Sequence, residues 1–590
     1  MRILLLILLL ALALAPLAAA KTAALPAPEV LHLDAPGVSA SPLRVRVYRP
    51  PAMPADARLP VLYVHDGQDM EAVELTATLR RLYDEGAIRP LLVVAIDMPP
   101  DRMAAYGFSD RAAQRSLPAT TAHGAVGARA HAYAEWVART LVPAIDARYP
   151  TRAAPDGRAT LGWSLGAVAA FNLGWQYPEL FGRVGGFSPS FWLAEDRSTP
   201  QSAQRTRIAH RRVDEGPARF GLKLFFAVGA AEEPDDRDGD GVNDALDDVR
   251  ELALGWDDAG TPRKGLRQLG YPVNPDHAAR ATRADVALYV LPDGEHRQAS
   301  WARMLPVFLR WAYALRAPGI DATGTVEGWQ DLPSRFVAMR NVDVWLPPSY
   351  GRDPKRRYPV LYIHDGQNLF DPALSYTGID WDVDGAMTRL VAEGRVREAI
   401  VVGIWNTPLR FHEYMPRKPL GARTLPPLPD LPALGAADLR SDAYLRFLVE
   451  ELKPFIDRTY RTRPGREDTF VMGSSMGGLI SLYALAEYPR VFGGAGAVST
   501  HWPVGDGLMI DWLGTHLPAP GSHRLYFDHG TATLDAQYAP YQRRMDALLR
   551  ELGWREGRDF RTRVFEGAEH NERAWRDRLH EPLEFLLGTR

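Results

Sequence analysis

Two halves of this chain carry the same sequence blocks in the same order, and that repetition constrains the fold more than any other feature. Leu59-Pro-Val-Leu-Tyr-Val-His-Asp-Gly-Gln-Asp-Met returns as Tyr358-Pro-Val-Leu-Tyr-Ile-His-Asp-Gly-Gln-Asn-Leu. Leu91-Leu-Val-Val-Ala-Ile-Asp-Met returns as Ala399-Ile-Val-Val-Gly-Ile-Trp-Asn. Arg102 and Tyr106 match Arg410 and Tyr414, and Val142-Pro-Ala-Ile-Asp matches Lys453-Pro-Phe-Ile-Asp. Blocks kept in order at nearly constant spacing mean a tandem duplication, so one fold must be explained, present twice. At 590 residues the chain exceeds what a single core usually covers, which agrees.

Each copy alternates short Val/Ile/Leu-rich runs with longer amphipathic segments. That pattern predicts α/β domains, each a mostly parallel sheet with helices on both faces. The expected layout is a first domain over 21–315, a linker over 316–325 marked by Pro318, Gly319 and Gly324, and a second domain over 326–590. The Pro- and Leu-rich stretch 416–437 reads as a long loop near the second site.

The chemistry is written at the G-x-S-x-G sequences. Thr469-Phe-Val-Met is an apolar strand, Gly473-Ser-Ser-Met-Gly477 a tight turn, and a helical pattern follows from Leu479. Strand, turn and helix around a central serine is the setting of an activated nucleophile, here Ser475. The first copy has Gly162-Trp-Ser-Leu-Gly166, with Ser164 in that position. A serine hydroxyl needs a base and a group that orients the base. After Ser475, an Asp and a His each follow a strand: Asp535 beyond Arg524-Leu-Tyr-Phe, and His570 beyond Arg563-Val-Phe. Residues just past parallel-strand C-termini converge on one sheet edge, so His570 is the expected base and Asp535 its partner. In the first copy the base is His296, and Glu232 is the expected acid in preference to Glu233. Backbone N–H groups at Gln367 and Met476, and at Gln68 and Leu165, are the expected oxyanion donors. His65, His364 and His529 read as structural.

Residues 358–372 (YPVLYIHDGQNLFDP), 473–478 (GSSMGG) and 567–575 (GAEHNERAW) resemble the family of α/β-hydrolases called putative esterases. Its relatives include enterochelin, feruloyl and acetylxylan esterases, S-formylglutathione hydrolase and mycolyltransferases. The resemblance covers nearly all of 330–590 and, more weakly, 40–315. It implies a Ser-acid-His triad and ester or acyl-transfer chemistry, with no cofactor for catalysis. The first copy departs from the pattern with Trp163 before its serine, no Asn after His296 and an inserted acidic loop.

That loop runs from Asp236 to Asp247. Asp236, Asp238, Asp240, Asp244 and Asp247, with the Val242 carbonyl and a turn at Gly241, have the oxygen-ligand spacing of a calcium loop. A structural Ca²⁺ is therefore expected there, without EF-hand flanking helices.

Residues 1–20 combine Arg2, an apolar run and Ala18-Ala-Ala20, the pattern of a secretory signal peptide, so a periplasmic or secreted protein with no membrane span after cleavage is expected. The chain has no Cys, which excludes disulfides and thiol nucleophiles. A net charge of -3 recommends no nucleic-acid partner. The expected activity is ester hydrolysis on a small-molecule or glycan-linked ester. The competing expectations are acyl transfer to a sugar or lipid hydroxyl, and a non-catalytic glycan- or siderophore-binding protein. The residues carry no code for acyl group, alcohol or oligomeric state.

Overall fold

A computed structural model describes residues 24–589 except 52–57, 122–123, 220, 259, 321 and 427–432. The expected signal peptide therefore lies outside the described residues. The chain divides into two units, Met1–Ala314 and Leu315–Arg590.

Among the described residues, the second unit is built on an eight-stranded sheet. Its spatial order is Thr325–Leu332, Arg340–Leu346, Ile400–Ile404, Val360–His364, Thr469–Ser474, Gly494–Val498, Arg524–Gly530 and Phe560–Phe565. The first two strands pair antiparallel, and everything from Ile400–Ile404 onward is parallel. The first unit repeats this order strand for strand, from Glu29–Leu33 to Val286–Leu291, and adds the short strand Val273–Asn274 at the far edge. The central strands are buried on both faces, as Arg158–Trp163 and Thr469–Ser474 are along their whole length. This is why they read as continuous apolar runs rather than as alternation. Each sheet separates two apolar clusters, one on either face, giving the three-layer arrangement that the alternating pattern predicts. Both units are α/β-hydrolase domains.

The stretch expected as a linker is partly taken up by the second unit. Ala317 N–H bonds to the Gly328 carbonyl, and Thr325 already begins the edge strand. In the 416–437 stretch, a helix at Arg417–Leu420 leads into the two-residue strands Thr424–Leu425 and Leu434–Gly435. Among the described residues no helix is long and apolar enough to cross a membrane.

Candidate active sites

The parallel strands deliver the candidate residues to one edge. Ser475 directly follows the strand Thr469–Ser474 and caps the helix Met476–Glu487 with φ 58° and ψ −119°; Ser164 does the same between Arg158–Trp163 and Leu165–Gln176 with φ 56° and ψ −124°. A non-glycine residue rarely adopts this backbone, and here strand and helix fix it from both sides. A Cβ added at Gly473 would come within 2.9 Å of the Gly477 backbone, and one at Gly162 within 2.2 Å of the Gly166 oxygen. The turn closes only with glycine there.

In the second unit the His570 Nδ1 lies 2.5 Å from Asp535 Oδ1. The other Asp535 oxygen accepts hydrogen bonds of 2.6 Å from the Ser499 hydroxyl and 2.6 Å from the Gly530 N–H. Burial would raise the Asp535 pKa, but the bonds from His570, Ser499 and Gly530 outweigh it and hold the carboxyl below its usual range. The Trp575 indole N–H donates to Ser499 at 3.0 Å and its ring packs edge-on against the imidazole at 5.0 Å. The Tyr538 ring meets the imidazole from another side, at 5.6 Å, and the Ser475 side chain is near enough to act on its hydroxyl. Tyr538 thus packs on the histidine and neighbours the serine.

The first unit builds the same cradle with different parts. His296 Nδ1 lies 3.1 Å from Glu232 Oε2 and 3.6 Å from Glu233 Oε2. Glu232 is buried and Glu233 exposed. Glu232 Oε1 accepts from the Ser188 hydroxyl and from the Gly229 N–H, and Trp301 donates to Ser188 at 3.0 Å. Glu232 therefore makes the contacts that Asp535 makes, two residues closer to its strand, with the longer side chain spanning the difference. Burial lowers the His296 pKa, but Glu232 and then Glu233 outweigh it, and the net shift is upward. Ser164 Oγ is 3.3 Å from Ser190 Oγ.

Gln68 and Gln367 sit in short 3₁₀ turns at the ends of neighbouring strands. Their side chains accept from the Met98 and Asn406 N–H groups, which fixes the turns. In the second unit the turn's own bonding starts with Asn368 N–H to the Asp365 carbonyl, and the helix bonding starts at Gly478 N–H. The Gln367 and Met476 amides lie ahead of those first bonds, as helix-start N–H groups do. Leu165 is placed likewise, ahead of the first helical bond at Ala167.

The duplicated His-Asp and Arg/Tyr positions form the frame under these turns. Asp66 and Asp365 have left-handed backbones, and Arg102 and Arg410 grip them through paired bonds of 2.7–2.8 Å. Tyr106 and Tyr414 accept from their backbone N–H groups. His65 is fully enclosed between Tyr133 and Thr160, and burial takes its pKa down to about 3. His364, bonded to Tyr444, is lowered to about 3 for the same reason. His529 is buried with Nδ1 on the Gly530 carbonyl. These three histidines are parts of the scaffold.

In the acidic loop, Asp236, Asp238 and Asp240 each bring an oxygen within 4.8 Å of the others, and Asp238 does so again with Asp247 and Glu251. Asp244 points elsewhere: Arg237 takes its carboxylate through a backbone N–H at 2.9 Å and a guanidinium at 3.2 Å. A helix, Asp244–Leu254, begins within the last residues of the loop and carries Asp247 and Glu251 one turn apart, in contrast to the expectation of a loop without flanking helices. Burial, with the charges of Glu251, Asp238, Asp248 and Asp240, pushes the Asp247 carboxyl up to about 7.

Ser499, Ser188, Tyr538, His501, Arg578 and Glu251 carry no motif and were not singled out from the sequence. The one available signal was their placement relative to the duplicated blocks: Ser188 and Ser499 end corresponding strands.

The family described as "Putative esterase" matches residues 39–262 and 335–586. The chain belongs to this family of carboxylic ester hydrolases, with the domain present twice. An uncharacterized Bacillus subtilis protein, YbbA, is 23% identical over 44% of this chain and 96% of its own length. The ferri-bacillibactin esterase BesA of Bacillus subtilis is 33% identical over 28% of this chain and 58% of its own length. Among solved structures, a ferulic acid esterase is 20% identical, with 45% of this chain and 98% of that one covered and a TM-score of 0.33. The enterobactin esterase FES of Shigella flexneri is 21% identical, with 46% and 60% covered and a TM-score of 0.33.

Proposed function

We propose that the protein is an exported serine hydrolase that cleaves carboxylic esters, with its principal site at Ser475, His570 and Asp535. The observation that carries this reading is the 2.5 Å contact of His570 Nδ1 with a buried Asp535 at the same sheet edge as the Ser475 turn. With Nδ1 turned to the carboxylate, Nε2 is the atom left to take the serine proton. The Ser475 oxygen then bonds to the ester carbonyl carbon, and the carbonyl oxygen becomes an oxyanion at the Gln367 and Met476 amides. His570 returns its proton to the departing alcohol, and a water, deprotonated by the same ring, releases the acid. Asp535 keeps the ring oriented and balances its charge. We extend the same sequence of steps to Ser164, His296 and Glu232 in the first domain, with donors at Gln68 and Leu165, on the support of the 3.1 Å His296–Glu232 contact.

A small-molecule or glycan-linked ester is the substrate class. The relatives' names suggest where to begin: a bacillibactin-type siderophore ester and a feruloyl ester, with a simple aryl ester added as a general reporter. The test is that ester panel assayed on the wild type, Ser164→Ala, Ser475→Ala and the double variant. Most turnover is expected to vanish with Ser475→Ala and all of it with the double variant; full turnover by the double variant would refute the reading.

The acidic loop we assign to a structural Ca²⁺. Its donors are all carboxylate or carbonyl oxygens, which suits a hard cation, and the close approach of Asp238, Asp247 and Glu251 is costly without one. These residues would hold the ion and tie the loop after Glu232 to the following helix. Chelator should lower the unfolding midpoint of the first domain and leave the second unchanged.

A further inference from the structure

The second domain holds a hydrogen-bonded pair that the triad does not use. His501 Nδ1 lies 2.7 Å from the Tyr538 hydroxyl, and the Ser475 side chain is near enough to act on that hydroxyl. Tyr538 has no exposed surface, so the proton of its hydroxyl must find an acceptor inside the site. Both ends are fixed by backbone. The His501 N–H donates to the Ser475 carbonyl at 3.2 Å, and Tyr538 follows directly on the turn that carries Asp535. Burial first, then the nearby charges of His570 and Arg410, take the His501 pKa down to about 4, so its ring is neutral at ordinary pH.

The first domain supplies an independent observation. Ser190 donates its N–H to the Ser164 carbonyl at 3.3 Å, as His501 does to Ser475, so the two occupy the same place. Ser190 is small, and its own hydroxyl sits 3.3 Å from that of Ser164. In both domains, then, this position puts a hydroxyl against the nucleophile: directly in the first, and through Tyr538 in the second.

Resting on the esterase reading of Ser475, we propose that Tyr538 is a further catalytic residue that donates a hydrogen bond to the Ser475 oxygen, and that His501 positions it by donating from Nδ1 to the phenol oxygen. A hydroxyl carries one proton and two acceptor sites. Occupying an acceptor site with the phenol proton leaves the serine's own proton directed to His570 Nε2. No net proton moves through the pair: the serine proton goes to His570 and then to the leaving alcohol, and the Tyr538 and His501 protons stay where they are.

Tyr538→Phe keeps the ring and removes only the hydroxyl. It should lower kcat and the rate of fluorophosphonate labelling of Ser475 by about tenfold to a hundredfold, with KM changed by less than about twofold. His501→Ala should lose a similar amount, His501→Asn should recover part of it, and Tyr538→Phe/His501→Ala should be no slower than Tyr538→Phe alone. Thermal midpoints taken alongside separate these losses from unfolding, and His501→Asn gives the reading if Tyr538→Phe is unstable. Wild-type labelling by Tyr538→Phe, or additive losses in the double variant, would overturn the proposal. Retained activity in Ser475→Ala/Ser164→Ala would instead defeat the esterase reading beneath it.

Discussion

The two domains solve one geometric problem with different residues. In the second, Asp535 reaches His570 from a point five residues past the end of its strand at Gly530; in the first, Glu232 reaches His296 from three residues past Gly229. Both carboxylates are held by a strand-end serine and a glycine amide, and both serines by a tryptophan. What is kept is the cradle; what varies is the acid and the length of loop that carries it. Beneath the cradle the domains differ more. Arg578 lies fully buried in the second, donating to Ser499 at 2.6 Å and to Asp528 at 3.1 Å and lying 3.7 Å from Asp535. Tyr526 donates to the other Asp528 oxygen. At the corresponding positions the first domain has Ala227 beside Ser188, and Met304 three residues after Trp301. The second site rests on a buried charge network and the first on apolar packing.

The sharpest way to break this comparison is at the acids. With Ser475→Ala removing the second site, Glu232→Ala should lower first-domain turnover by about a thousandfold or more, because the base loses its orienting partner. Glu233→Ala should cost less than about tenfold. Equal losses, measured as kcat/KM on the same ester, would mean that the two carboxylates share the role and that the parallel with Asp535 fails.

The next effect is on stability. Arg578→Met gives the second domain the first domain's residue and leaves Asp528 buried without its cation, which should cost about 3–5 kcal/mol in denaturant unfolding of that domain. Adding Asp528→Ala, the first domain's other residue, should restore much of it. A double variant as unstable as the single one would show that the network does more than satisfy its own charges.

The smallest effect is on pH. The raised His296 pKa moves the acidic limb of first-domain activity above the ordinary histidine midpoint of about 6.5, since the base acts only when neutral. The same shift stabilises the fold fully below that midpoint, and the gain is lost as pH rises through the folded-state value. Glu232→Gln should bring the limb back down. A limb at or below 6.5 in Ser475→Ala protein would contradict the Glu232–His296 pairing.

Much of this was legible because the duplication supplies its own alignment. The layered α/β architecture follows from apolar runs of strand length alternating with amphipathic segments, and the candidate nucleophiles from glycines that a tight strand-to-helix turn requires. Counting from the strand-end glycine puts Pro234 opposite Asp535, so the count alone does not single out Glu232, whose longer side chain makes up the two-residue difference. The cradle was not legible: Ser188, Ser499 and Arg578 act through burial and direction, which leave no pattern in a linear chain. Asp244 fits the calcium spacing by number, yet its side chain is taken by Arg237, a competition that spacing alone does not register. Glu251, which does approach Asp238 and Asp247, lies outside the twelve-residue window because a helix brings it back one turn later.

The central claim is that the Ser475 hydroxyl is an activated nucleophile. Reacting the intact protein with a fluorophosphonate and mapping the adduct by peptide mass spectrometry tests it directly. The account predicts a covalent adduct at Ser475, forming faster than any at Ser164 and abolished by His570→Ala. An unmodified Ser475 in folded protein, or labelling indifferent to His570, would contradict it.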